Sequence, residues 1–449
     1  MTATTEGQQR AESIHPAVNV SGPETPRRLF HWVEAVTGRA LVAETRLPTV
    51  RPAWRIDLQG PRDVTTPFVI RCARPAGFGL SVAYSLQREA RVLSSLMRHG
   101  FPVPRVEAES ADPEALLLEC MPGTSDFSLL DANPAWKRTV VAHFVELLVR
   151  LHAIPVAELD VPGATPRPGT TDAALDELAI WKGLYLRAAE HPDSLLCFTL
   201  EWLERNAPMS PECVLVQGDT GPNQCLFDER GVTGVLDWEL AHVGDPMEDL
   251  GWIAARTFFA SFGSLPELLQ RYARLAGREL HFHRIGYYRV MALVKCAIAT
   301  GLARASLGAG DDIGSILCWD TITRHALAWS LAESTTGTRP DEQQLGSMPP
   351  LDPAAAAIAT ALRELAAGQA APYDALRIRG FADSVAWCAL RQSVAHTSRP
   401  EALDAAGVST AGAADAARAL QFLAREQLDS TLLAEAFGER GRIRLEALQ

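Results

Sequence analysis

No two cysteines in this 449-residue chain stand at a CxxC or zinc-like spacing. The eight that occur, Cys72, Cys120, Cys197, Cys213, Cys225, Cys296, Cys318 and Cys388, are scattered, so they are expected as reduced thiols. A basic excess is also missing: 42 lysines and arginines face 54 aspartates and glutamates, a formal net charge of −12. A surface built for nucleic-acid phosphate or an anionic membrane needs the opposite balance, so neither is an expected partner. Residues 1–25 hold Glu6, Glu12 and Glu24 and lack the apolar core of a secretory signal. No later run reaches the roughly 18 uninterrupted apolar residues of a membrane span. The expected location is cytoplasmic.

What is present is a globular composition, 47% hydrophobic and 21% charged, in a chain long enough for two or three packed units. After a polar arm at 1–25, a helical pattern at 27–37 leads into β-type segments at 40–46, 52–58 and 67–73, joined by proline and glycine turns. Residues 82–98 place Val82, Leu86, Val92, Leu93, Leu96 and Met97 on one helical face, with Gly100 as a stop. The run ALLLECM at 115–121, closed by Pro122 and Gly123, suits a buried strand before a linker. Helical patterns then dominate at 134–153, 173–188, 196–206, 246–260, 265–276, 281–306 and 311–333. They are interrupted by a β-rich island at 214–216, 224–227 and 232–236. The reading is α+β: a small antiparallel-sheet lobe over 26–121 and a larger helical lobe over 122–333. A Pro/Gly-rich linker at 334–353 separates these from an Ala-rich helical bundle at 354–449, with helices expected at 354–368, 376–396, 411–428 and 429–437.

Two carboxylates in the β-rich island carry chemistry. Asp219 follows Val214-Leu215-Val216 and Gly218, so a strand delivers it to a loop turned by Gly221 and Pro222. Asp237 ends the segment 232–236 in the same manner. Phosphoryl transfer needs such a pair: one acid orients the attacking hydroxyl and accepts its proton, the other holds the magnesium that neutralises the phosphates. Asp219 suits the first task and Asp237 the second, with the side-chain amides of Asn223 and Gln224 placed for a further metal contact. Asp245-Pro246 reads as a capped helix start, and Asp245 and Asp249 as structural supports. His152 reads as a packed or capping residue and Trp238 and Trp252 as core, while His242 receives no role.

The segment LVQGDTGPNQCLFDERGVTGVLDWELAHVGDPMEDLGW, residues 215–252, resembles the catalytic and metal-binding loops of the aminoglycoside phosphotransferase and choline kinase family. The closest likeness is to the branch linked with acyl-CoA dehydrogenase domains, and it extends less specifically over 27–333. The resemblance implies a bilobal protein-kinase-like fold, ATP and Mg2+ as cofactors, a nucleotide site in the sheet lobe and a small-molecule hydroxyl acceptor. It implies that Arg71 points toward the nucleotide phosphates with Glu89 as its helix partner, and that Glu119 and Met121 lie at the adenine edge. Three departures stand out. Gln217 replaces the family histidine, Gln224 falls in the register of the metal-binding asparagine with Asn223 one place early, and LPTVRPAW replaces a glycine-bearing turn. Arg51, in that turn, is the candidate to supply the missing phosphate donors.

Within the family the branch implies a hydroxyacyl-CoA acceptor. An aminoglycoside acceptor calls for an acidic cleft, which Arg271, Arg274, Arg278, Arg284, Arg289 and Lys295 do not suit. The departures also leave open a pseudokinase that binds nucleotide or acyl-CoA without turnover, and a purely structural partner. RGFADSVAWCALRQ in the tail resembles a helical domain that accompanies such kinases, as an accessory unit or a homodimer bundle.

Overall fold

A computed structural model describes residues 24–339, 353–368 and 414–421, apart from 48, 50, 62–63, 74–83, 190–191, 222–223, 259–261, 306–312 and 416. The helices expected at 376–396 and 429–437, most of 411–428, the arm before residue 24 and most of the linker lie outside the described residues.

Alternation builds the first lobe. Strands β1 (Leu41–Arg46), β2 (Ala53–Gln59), β3 (Thr65–Cys72), β4 (Val106–Ala111) and β5 (Glu114–Glu119) form an antiparallel sheet in the order β1-β2-β3-β5-β4. Trp54, Ile56, Leu58, Phe68, Ile70 and Leu117 cover one face and meet Leu29 and Val33 of helix α1 (Glu24–Thr37). Helix α2 (Leu86–Arg98), capped by Ser85 through Arg88 N, packs on the other face against Leu116 and Leu118. Strand β5 is thus covered on both sides, which is why it reads as an uninterrupted apolar run. Strand β4 is absent from the sequence reading because VEAESA is a polar edge strand, its side chains alternately half-buried and exposed.

The second lobe adds a short helix α3 (Ser128–Asp131) that the sequence reading lacks and otherwise follows the expected helices closely: α4 (Pro134–His152), α5 (Asp172–Ala188), α6 (Ser194–Arg205), α7 (Pro246–Arg256), α8 (Leu265–Ala276), α9 (Phe282–Ala305) and α10 (Ile313–Thr336). The β-rich island resolves into two antiparallel ribbons, β6 (Val214–Val216) with β9 (His242–Gly244), and β7 (Cys225–Asp228) with β8 (Gly231–Val235). Gly251 lets α7 and α9 touch at backbone distance, since a Cβ there would lie 2.6 Å from Tyr288 Cβ. Helix α9 is long and apolar enough to cross a membrane, yet it is a core helix whose Arg284, Arg289 and Lys295 are buried against acids. Helix α11 (Pro353–Ala367) follows the linker. Farther on, Asp415 pairs with Arg205 at 3.0 Å, Arg418 lies over Phe198 and Ala419 is fully buried, so this part of the tail docks on α6.

Candidate active site

Strand β6 ends at Val216, and the next five residues are held as a loop by one buried carboxylate. Asp249 of α7 accepts from Gln217 N at 3.0 Å, from Gly218 N at 3.1 Å, from Thr220 Oγ1, and from His152 Nε2 at 3.0 Å. The other nitrogen of His152 meets Tyr272 OH at 2.7 Å. The helix itself is fixed by Asp245, which caps Met247 N and takes a fork from Arg284. A rigid helix therefore sets the loop that carries Asp219. Gln217 uses its side chain to tie this loop to the second one, donating from Nε2 to Leu236 O at 2.7 Å.

Asp219 sits between two donors. Gln224 Nε2 reaches its Oδ2 at 2.5 Å, and Arg256 Nη2 donates to Oδ1. Burial pushes its carboxyl up to about 6; Arg256 opposes the rise and the neighbouring Asp237 adds to it. Gln224 is joined to the second ribbon through the bond from Leu236 N to its carbonyl at 2.7 Å, so the loops of Asp219 and Asp237 close on each other.

Asp237 has φ 62, the only non-glycine among the described residues on the left-handed side. That conformation costs a carboxylate side chain of order 1 kcal/mol and is kept where the surroundings aim the group. Its Oδ1 accepts from Arg71 Nη2 of β3. Arg71 Nε also donates to Glu89 Oε2 of α2 at 3.1 Å, the pairing the sequence suggests. Burial works against the charge of Arg71, but Glu89, Asp237 and Glu239 outweigh it and hold the guanidinium protonated. Arg51 does not stand out as a phosphate donor. It is buried, bridging Glu89 Oε2 at 3.2 Å and Glu239 Oε2, so it braces the sheet lobe against the loop after Asp237. Asn223 lies outside the described residues. Glu119 ends β5 on the exposed rim, while Met121 packs its sulfur over Gly234 of β8, where the lobes join.

A second charged cluster lies beneath. Glu177, His242 and Glu248 place ligand atoms within 4.8 Å of one another, as a metal site would. Lys295 Nζ already fills that position, 2.8 Å from Glu177 and 2.9 Å from Glu248, and supplies the positive charge a cation would bring. Burial lowers the pKa of His242, but Glu177 and Glu248 raise it further, to about 9. Tyr84 OH donates to Glu177 at 2.6 Å, extending the cluster to the start of α2.

A five-stranded lobe and a helical lobe meeting at two loop carboxylates define a two-lobed, kinase-like architecture. The sequence model of the phosphotransferase enzyme family (APH) matches residues 54–293, more than half of the chain, and the protein belongs to this family. It is 28% identical over 313 residues to acyl-CoA dehydrogenase family member 11 of Rattus norvegicus, covering 63% of this chain and 38% of that protein. It is 34% identical over 191 residues to an aminoglycoside 3'-phosphotransferase of Streptomyces fradiae, covering 39% of this chain and 65% of that one. The chain thus spans less than two fifths of the dehydrogenase-family relative. Among solved structures, choline kinase LicA from Streptococcus pneumoniae superposes with a TM-score of 0.50 at 12% identity, over 68% of this chain and 99% of that one, a likeness of fold.

Sequence reasoning overlooked Arg256, Glu239 and the bracing of Arg51. A signal for Arg256 existed: seven residues after Asp249, it lies on the same face of α7. The argument from basic residues against an acidic cleft needs correction. Arg271, Arg278, Arg284, Arg289 and Lys295 are paired internally with Glu146, Glu212, Asp245, Glu333 and Glu177, so they pack helices and do not colour the site.

Proposed function

We propose that the protein transfers the γ-phosphoryl group of ATP to a hydroxyl of a small molecule. The observation that carries this reading is the convergence of Asp219 and Asp237 through Gln217 and Gln224, which join the two loops by side-chain and backbone hydrogen bonds. Asp219 orients the acceptor hydroxyl and takes its proton, and a carboxyl shifted to about 6 is ionised yet basic enough for that work near neutrality. Arg71 meets the nucleotide phosphates, kept in place by Glu89. Met121 and Glu119 flank the adenine edge. Asp237 and the side-chain carbonyl oxygen of Gln224, whose amide nitrogen donates to Asp219, would hold Mg2+, which would supply positive charge against the phosphates.

For the acceptor, a hydroxyacyl thioester is favoured over a polycationic amino sugar. Arg256 places a guanidinium against the base itself, a poor neighbour for an ammonium group. The relatives named for acyl-CoA dehydrogenase support the same choice. In the test, purified protein with ATP and Mg2+ is expected to gain melting temperature and to phosphorylate one of a panel of hydroxyacyl-CoA compounds. Asp219→Asn should abolish transfer and keep nucleotide binding. No thermal shift and no transfer would overturn the reading. One observation favours a binding module without turnover: both acids are occupied by arginines, Arg71 and Arg256. Nucleotide binding with no transfer to any acceptor, and none to water, would decide for it.

A further inference from the structure

Arg256 closes α7, and its side chain crosses the loop at a single point. A Cβ on Gly221 would lie 1.9 Å from Arg256 Cδ and 2.7 Å from its Nε. Gly221 does not have the positive φ that would by itself call for glycine, so what the position lacks is volume. The gap is the passage through which the guanidinium reaches Asp219 Oδ1. Arg256 Nε is buried without a partner there, so Asp219 and the face of Trp252, 6.0 Å away, are what hold the group.

We propose that Arg256 is a positioning residue for phosphoryl transfer, and that the glycine at 221 exists to admit it. The carboxylate of Asp219 is clamped from two sides, Oδ1 by Arg256 and Oδ2 by Gln224. Removing the guanidinium leaves one amide to hold a carboxylate that must be aimed at the acceptor oxygen. The inference rests on the reading of Asp219 given above.

The test uses the full chain and measures ATP hydrolysis, with water as the acceptor, in four proteins: wild type, Arg256→Ala, Gly221→Ala and the double variant. A displacement near 1 Å at the reacting group costs about 100-fold in rate, so each single variant should lose on the order of 100-fold in kcat, with KM for ATP within about twofold. Because both changes undo one contact, the double variant should be no slower than either single one. Arg256→Lys should recover part of the loss and Arg256→Met, which keeps the stem without the charge, should not, a split that a packing role would not give, and melting temperatures establish that each variant is folded. Multiplication of the two losses to about 10,000-fold, or a Gly221→Ala protein with wild-type kcat, would overturn the proposal. A wild type with neither hydrolysis nor transfer would instead sink the role given to Asp219, and this proposal with it.

Discussion

Replacing Asp249 tests whether the catalytic loop is held by a distant carboxylate and not by its own backbone. The carboxylate is fully buried and accepts four hydrogen bonds, two from the backbone amides of Gln217 and Gly218 and two from Thr220 and His152. Asp249→Ala leaves those two amides buried and unsatisfied at about 1–3 kcal/mol each, and the neutralised cluster also loses charge-assisted bonds, so a loss on the order of 3–5 kcal/mol is expected. Asp249→Asn is the sharper perturbation. Its shape is the same, but one oxygen becomes an NH2 aimed at N–H or O–H donors, which should cost about 2–3 kcal/mol. Burial raises the carboxyl pKa of Asp249, and its bonds from His152, Thr220 and Gln217 more than reverse this, holding it below 3.8. A depressed carboxyl stabilises the fold above its unfolded value, so this contribution is present above about pH 4 and fades as pH falls through the native value. The assay is urea unfolding at pH 7 and across the acid range, with turnover measured in parallel. Asn should lower the midpoint at unchanged slope, flatten the acid limb and reduce kcat about 100-fold with Asp219 intact. An unfolding free energy within about 0.5 kcal/mol of wild type would refute the clamp.

Three further outcomes follow from other contacts. His242 is raised from 6.5 to about 9, so its stabilisation is complete below pH 6.5 and is lost as pH rises through 9; melting temperature should fall over that window, and His242→Gln should flatten the curve. Lys295→Met strands Glu177 and Glu248 with His242 as their nearest cation, an expected loss of about 3–5 kcal/mol. The emptied cluster should then bind Zn2+ with a rise in melting temperature, while the wild type does not respond. Gln217→Ala leaves the Leu236 carbonyl without its donor and should cost about 1–2 kcal/mol, and Gln217→His, which can again donate, should recover most of the turnover lost.

Much of this was legible in the chain because local signals agreed with tertiary ones. Ser85, Asn133, Asp193, Asp245 and Ser264 all cap the helices they precede, and Leu29 and Val33 of α1 and Leu86, Val92, Leu93 and Leu96 of α2 are buried as their spacing implies, whereas Met97, read onto the same face, is exposed. Asp219 and Asp237 were found because short strands end on them. Strands β4 and β9 were not, the first because an exposed edge strand has no apolar face to announce it. The second is three residues, His242–Gly244, too short to show an alternating pattern, paired with β6. The partners of Arg51 and Lys295 could not be assigned from sequence, and the position of Arg256 on the face of Asp249 did not name the acid it meets, for a different reason. Their partners lie 188, 37 and 118 residues away, and a charge on an apolar-looking helix carries no mark of the acid it will meet.

The arginines also explain how two acids can lie side by side at all. Burial and the charge of Asp237 both raise the proton affinity of Asp219, so without a cation beside it Asp219 would hold its proton more tightly and serve poorly as a base at neutral pH. Here each acid receives a guanidinium from a different lobe, Asp237 from Arg71 on β3 and Asp219 from Arg256 on α7. The two contacts are not equivalent. Arg256 comes from the same lobe as its acid and is confined by Gly221, so it can stay throughout a turnover. Arg71 ties the sheet lobe to the helical lobe and sits on the carboxylate proposed to hold metal, so under the proposed function it must exchange Asp237 for phosphate oxygens when nucleotide enters. The anchor of Arg71 to Glu89 allows that exchange, because Nε can stay bonded to Glu89 while the planar guanidinium pivots as a whole about that contact.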